Sequence, residues 1–211
     1  MPELCRICNS RRPKRHCPGV GGEICPLCCG EQREVNVSCP LDCPYLEEAR
    51  LHERPVELDR NTLPNKDIRL TEEFLQNHHE LVLFCSFTLA DGALRTAGAT
   101  DADVLTAVDA LIKTHRTLES GLFYQTKAED RLAAAVQDHF ERSLEDFQKR
   151  RSSEEGLAPF RNAEVLGVLA FLERSALAQR NRRPRGRAFI DFLRKRLNVP
   201  IPQPTGGLLV S

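Results

Sequence analysis

From Thr71 to Leu197, apolar residues recur at intervals of three and four, the spacing that lines them along one side of an α-helix. Thr71 with Glu72 and Glu73 opens a first helix running to about Ala90, and Asp91–Gly92 reads as its stop. Thr100 with Asp101 and Asp103 opens a second, whose Val104, Leu105, Val108, Leu111 and Ile112 form a stripe ending at Gly121. Thr126 and Glu129 have capping-box spacing ahead of a third, striped by Leu132, Val136, Phe140, Leu144 and Phe147. A fourth, AEVLGVLAFLERSALAQR, is capped by Asn162 and is apolar on most sides, so it belongs at the centre. A fifth runs from about Arg187 to Leu197 with Phe189, Ile190 and Leu193 on one side, and Pro200 and Pro202 end it. Strand-like alternation is scarce. The pattern predicts a mainly α protein with a four- or five-helix bundle over residues 71–198.

The first 45 residues have another character. They are rich in Cys, Pro and Gly and hold too few large apolar side chains for a core, a deficit that metal or disulfides usually make good. PYLEEARLHER, residues 44–54, reads as a short helix with Pro44 in its first turn, closing a module over 1–54. Residues 55–70, with two prolines and two asparagines, read as a linker, and 199–211 as a flexible tail. No apolar run reaches the roughly 18 residues needed to span a bilayer, and Met1–Arg15 lacks the apolar segment of a signal peptide. The expectation is a cytoplasmic protein without a membrane partner.

Eight of the nine cysteines fall before Tyr45, an odd total without a secretion signal, which favours metal over disulfides. Cys5 and Cys8 form one knuckle and Cys25 and Cys28 another, with sixteen residues between them, the separation of a four-cysteine zinc site. The remaining Cys17, Cys29, Cys39 and Cys43 make a second tetrahedral set. The sets interleave, so two zinc ions would cross-brace the same loops and bind as the module folds. Ordinary buried thiols would not cluster this way, and the runs typical of ferredoxins are missing.

CRIC, HCPGV and ICPLCC follow in the order that opens HIT-type and MYND-type zinc fingers, and the segment resembles those cross-braced modules, which act mainly in protein contacts. The resemblance implies ligand roles for Cys5, Cys8, Cys17, Cys25 and Cys29. It departs at Val20, where the family has a cysteine, at the additional Cys28, and at CPLDC, which replaces the closing His and Cys segment. In the family's register Cys29, not Cys28, joins Cys5, Cys8 and Cys25, and Cys28 or His16 completes the other site. Which of Cys28 and Cys29 serves which ion therefore stays open.

The 30 basic and 30 acidic residues balance, which argues against a general nucleic-acid binder. RRPKRH, residues 11–16, reads as counter-charge to zinc thiolates. RNRRPRGRAFIDFLRKR, residues 180–196, is the stronger basic segment, and Arg180, Arg182, Arg183, Arg185 and Arg187 suit contacts with phosphate or an acidic partner. Enzyme signatures are missing: HHEL lacks the second histidine of a zinc-protease motif, and no phosphate loop or nucleophile elbow occurs. Cys85 reads as a buried small hydrophobe, and His115 and His139 have no nucleophile near them in sequence. The leading expectation is a non-enzymatic adaptor whose zinc module and bundle contact a protein partner or a second copy. Nucleic-acid binding through 180–196 and thiol redox sensing through Cys28 and Cys29 are the alternatives.

Overall fold

The computed structural model describes residues 4–59, 61, 63–154 and 156–202. A hairpin comes first, β1 (Arg15–Cys17) antiparallel to β2 (Gly22–Ile24), with His16 opposite Glu23. Two short helices follow, α1 (Pro26–Gln32) and α2 (Pro44–Arg50). The bundle comprises α3 (Glu72–Asn77), α4 (His79–Arg95), α5 (Asp101–Glu119), α6 (Arg131–Ser153), α7 (Asn162–Gln179) and α8 (Ala188–Leu197). The protein is thus mainly α, a small cysteine-rich module followed by a helical bundle.

The first predicted helix departs from expectation at both ends. It breaks at His78, whose Nδ1 lies 2.8 Å from the Phe74 carbonyl and whose ring packs on Phe74, so α3 and α4 are separate pieces. It also runs through Asp91–Gly92 to Arg95. Gly92 is a contact point rather than a stop, because a Cβ there would meet the His139 ring at 2.9 Å. The capping box predicted at Thr126 is absent: Asp130 starts α6 by accepting from the amides of Leu132 and Ala133. Thr126 instead gives its amide to the Thr114 hydroxyl and its carbonyl to Gln137. The predicted start at Thr100 holds, and there Thr100 and Asp103 form a capping box. Helix α8 ends at Asn198, left-handed at φ 53°, ahead of the prolines expected to stop it.

As its sequence predicts, α7 is central. It packs on α5, α4 and α8, and Val165, Val168, Leu169, Ala170 and Leu172 are all buried. Phe74 lies so close to α7 at Gly167 that any Cβ there would collide with its ring. The N-terminus of α8 is capped from another helix: the buried carboxylate of Asp101 accepts from the amides of Phe189 at 3.0 Å and Ile190 at 3.1 Å. Burial nonetheless pushes the Asp101 pKa up to about 6.

The described residues of 55–70, all but 60 and 62, are irregular, yet several are fastened to the bundle. Val56 donates to the Ala178 carbonyl, Asn65 to Glu173, and Arg116 clamps Asp67 with bonds of 2.7 and 2.8 Å. Beyond α8, Val199 is buried with its amide on the Arg194 carbonyl; of the tail expected to be flexible, 203–211 lies outside the described residues.

Two hydrophobic clusters divide the module. Cys5, Cys17, Ile24, Cys25, Cys28 and Val37 form a small one, whereas Leu41, Cys43 and Leu46 belong to the core of the bundle. Cys39 packs against both. A polar joint lies beside this seam at Glu34, 1% exposed and left-handed at φ 53°. Its carboxylate accepts from Arg50 at 2.7 Å, Asn181 at 2.7 Å and the Arg187 amide at 2.9 Å, while its carbonyl accepts from the Arg185 amide at 2.8 Å. Arg50 in turn reaches Asp191 at 3.3 Å, and Asp191 also pairs with Arg194 and Lys195.

Two expectations follow. Glu34→Gln removes one of the charges facing buried Arg50, whose pairs with Glu53 and Asp191 remain, and urea unfolding of the metal-loaded protein should show a loss of about 1–3 kcal/mol. His115 is buried against Asn162, and burial lowers its pKa below the ordinary 6.5. The unfolded chain therefore takes up a proton there before the folded chain does, so this group's contribution turns unfavourable as pH falls through about 6.5. Melting temperatures of wild type and His115→Gln should converge between pH 7 and pH 5; Asp101 adds the opposite slope equally to both.

Candidate metal centre

The stretch ICPLCCGE is a helix start, which sequence reading missed although Pro26 is a signal for one. Cys25 is the N-cap of α1, its sulfur accepting from the Cys28 amide at 3.4 Å, and Pro26 follows it in the first turn. The first knuckle closes on the left-handed Asn9, whose amide bonds the Cys5 carbonyl at 2.8 Å, and on the Cys5 amide, which bonds the Arg11 carbonyl. The two knuckles join where the Cys25 amide donates to the Cys5 sulfur at 3.2 Å.

Cys5, Cys8, Cys25 and Cys28 consequently converge, with all four sulfurs within 4.8 Å of one another. A tetrahedral zinc with bonds near 2.3 Å asks for sulfurs about 3.8 Å apart, so the four can hold a metal ion. Their electrostatics are uneven. The hydroxyl and amide of Ser10, with the Arg11 amide, draw the Cys8 thiol down to about 5. Burial, followed by the crowding of Cys25, Cys8 and Cys5, pushes Cys28 up to about 12. Four thiolates in one place repel, and a divalent cation relieves the repulsion while releasing protons. Arg11 supplies counter-charge by hydrogen-bonding Cys25, with Cys8 and Cys28 also acting on it.

The helix also resolves the junction. Adjacent residues point about 100° apart around a helix, so Cys28 turns into the first cluster and Cys29 turns away from it. Cys29 instead lines a second cavity, of about 10 Å³, together with Cys17, Cys39 and Cys43. That volume is close to the smallest that takes up a single water molecule. The second set does not draw together as tightly as the first. Three of the four members are held by separate elements, Cys17 at the end of β1, Cys29 in α1 and Cys43 as the N-cap of α2 ahead of Pro44, while Cys39 lies in the irregular segment between α1 and α2. Cys39 is pushed up to about 11, chiefly by burial, with the charges of Glu34, Cys17 and Cys43 adding to it. Arg15 donates to the Cys29 sulfur at 3.4 Å and lies over the Tyr45 ring. His16, the other ligand considered, also lines this cavity, but it is exposed and its Nδ1 lies 3.1 Å from the Glu23 carboxylate.

The arginines of the 180–187 turn are largely used within the protein. Arg183 donates to the carbonyls of Gly30 and Arg33, Arg185 bonds Ser38, and the Arg187 amide bonds Glu34. Of the five, Arg182 and Arg185 are exposed. Cys85 is wholly buried, which raises its pKa and keeps the thiol protonated. His139 pairs with Asp91 at 3.1 Å. Among the described residues no helix is long and apolar enough to cross a membrane.

Replacing Cys8 with serine should remove one metal ion per chain, read by native mass spectrometry, whereas Cys85→Ser should leave the metal count unchanged. Compared with protein-family models, curated proteins and solved structures, the chain matches none of them.

Proposed function

We propose that this is a non-enzymatic interaction protein whose contact surface is built by two structural zinc ions. The first ion sits on Cys5, Cys8, Cys25 and Cys28, the second on Cys17, Cys29, Cys39 and Cys43. One observation carries the reading: the eight thiols divide between a tight cluster and one shared cavity. Two sets of four complete the coordination of two ions, leaving none of the open positions that catalytic zinc keeps. Closed sites stabilise and shape a surface; they do not activate water.

The second site adds a task of its own. Cys17 and Cys29 belong to or pack on the module's small cluster, Cys43 belongs to the bundle's core, and Cys39 touches both. An ion there fixes the module's orientation on the bundle, so the two present one rigid surface to a protein partner. The HIT-like and MYND-like order of the early cysteines agrees with such a role, as does a reducing, cytoplasmic location, where thiols remain available to metal. A general nucleic-acid reading draws less support, because Arg183 and the Arg187 backbone are already engaged inside the protein. The redox reading weakens too, since Cys28 and Cys29 face different sites.

Metal analysis of the purified chain should give two zinc ions; one or none would sink the two-ion reading. Cys29→Ser should lose the second ion and keep the first. Affinity capture with the intact protein, and again with Cys5 and Cys8 replaced by serine, should recover partners only in the first case. Recovery of the same partners by both would move the function off the module.

A further inference from the structure

A cleft of about 550 Å³ opens between the module and the bundle, within the range of small-ligand sites. One wall is Pro18 and Gly19 after β1 together with Ser38 and Pro40 near Cys39; the other is Gly98 and Thr100 ahead of α5. Arg185 and Arg187 line it, and no carboxylate does. Behind the wall, the carboxylates of Asp101, Glu34 and Asp191 act on Arg187 through space, but their hydrogen bonds go elsewhere: Asp101 to the amides of α8, Glu34 to Arg50, Asn181 and the Arg187 amide, and Asp191 to Arg194. Neither Arg185 nor Arg187 forms an ion pair among the described residues. The guanidinium of Arg185 meets only the Ser38 hydroxyl, at 2.6 Å. The Nε of Arg187 is buried and has no hydrogen-bond partner. Arginines in protein interiors and seams are normally matched with carboxylates, and Arg50 and Arg194 in this protein are. Two without an ion pair on one concave wall, with no carboxylate among its lining residues, leave the cleft itself basic.

We infer that this cleft binds a phosphomonoester, with Arg185 and Arg187 gripping its oxygens and the Ser38 hydroxyl donating beside them. The planar guanidinium fork matches a phosphate with paired hydrogen bonds, and the oxygens of a dianion supply the acceptors that Arg187 Nε and the Arg185 guanidinium do not find in a carboxylate. A polynucleotide track fits less well. Arg183 is spent on the carbonyls of Gly30 and Arg33, so the basic turn offers a compact grip instead of a run of phosphate contacts. The inference rests on the module acting as an interaction surface and names the chemistry that surface recognises: a phosphorylated protein segment or a free nucleotide-like monoester.

The test is a ¹⁵N NMR titration of the full, metal-loaded chain with O-phosphoserine, with a nucleoside 5′-monophosphate, and with a single-stranded RNA lacking terminal phosphate. Saturable shifts at the amides of Gly19, Ser38 and Gly98 are expected with one or both monoesters. Binding of phosphoserine alone assigns a protein source, and of the nucleotide alone a metabolite source. Arg185→Glu, at an exposed position, should weaken binding by about tenfold or more, the value of a lost charged hydrogen bond. Arg187→Lys keeps the charge without the fork and should weaken it severalfold. Absence of saturable shifts at these amides, indifference to both variants, or binding of the RNA alone would overturn the inference. Zinc per chain is measured on each sample. Two ions with no shifts removes the cleft and spares the two-ion reading, while saturable shifts with fewer ions do the reverse.

Discussion

A buried carboxylate needs partners for its whole ring of lone pairs, and Glu34 finds them on segments far apart in the chain. Arg50 comes from α2, Asn181 and the Arg187 amide from the turn between α7 and α8. The residue lies between Cys29 and Cys39 in sequence, so whatever holds those cysteines also places the carboxylate. Such a network adds little net stability over an apolar replacement, but it is intolerant of losing one member and admits one register. That intolerance makes it a joint: the module meets the bundle in a single orientation, and α8 is pinned through Arg50 and Asp191.

Apolar packing is divided at this seam. The module's own cluster is small, and four of its six buried members are cysteines. Without ions that cluster would be too slight to order the chain, because few apolar side chains contribute to it. Leu41 and Leu46 are instead lent to the bundle's core, and Cys39 lies between the two clusters. The module is therefore not an appendage on a tether. Its second half is already part of the larger fold, and beyond it Val56, Asn65 and Asp67 are hydrogen-bonded to the bundle.

The basic turn shows how charge in a sequence can mislead about where charge is exposed. Five arginines from Arg180 to Arg187 look like a solvent-facing patch. Folded, Arg183 caps carbonyls left open around the end of α1, and the backbone of Arg185 and Arg187 feeds Glu34. Only part of the segment's charge remains for a ligand. The further run RRPKRH behaves similarly, with Arg11 and Arg15 facing thiols.

Local rules carried much of this fold. The helical periodicity of α5 to α8, the helix start at Thr100 and the central place of α7 were legible because each depends on residues within a few turns of one another. The spacing of Cys5, Cys8, Cys25 and Cys28 was legible for the same reason, since a knuckle is a local turn. What failed was also local in appearance but decided from afar. Asp91–Gly92 signals a stop, yet the helix continues because His139 from α6 packs where a side chain would be. The choice between Cys28 and Cys29 waited on the helical rotation of α1. The sequence by itself determined the helical periodicity of the bundle and the spacing of the first four thiols. Tertiary structure alone decided which thiols share a cavity, which arginines are spent on Glu34, and which two remain unpaired, because contacts between residues some 150 positions apart leave no periodic trace in the chain.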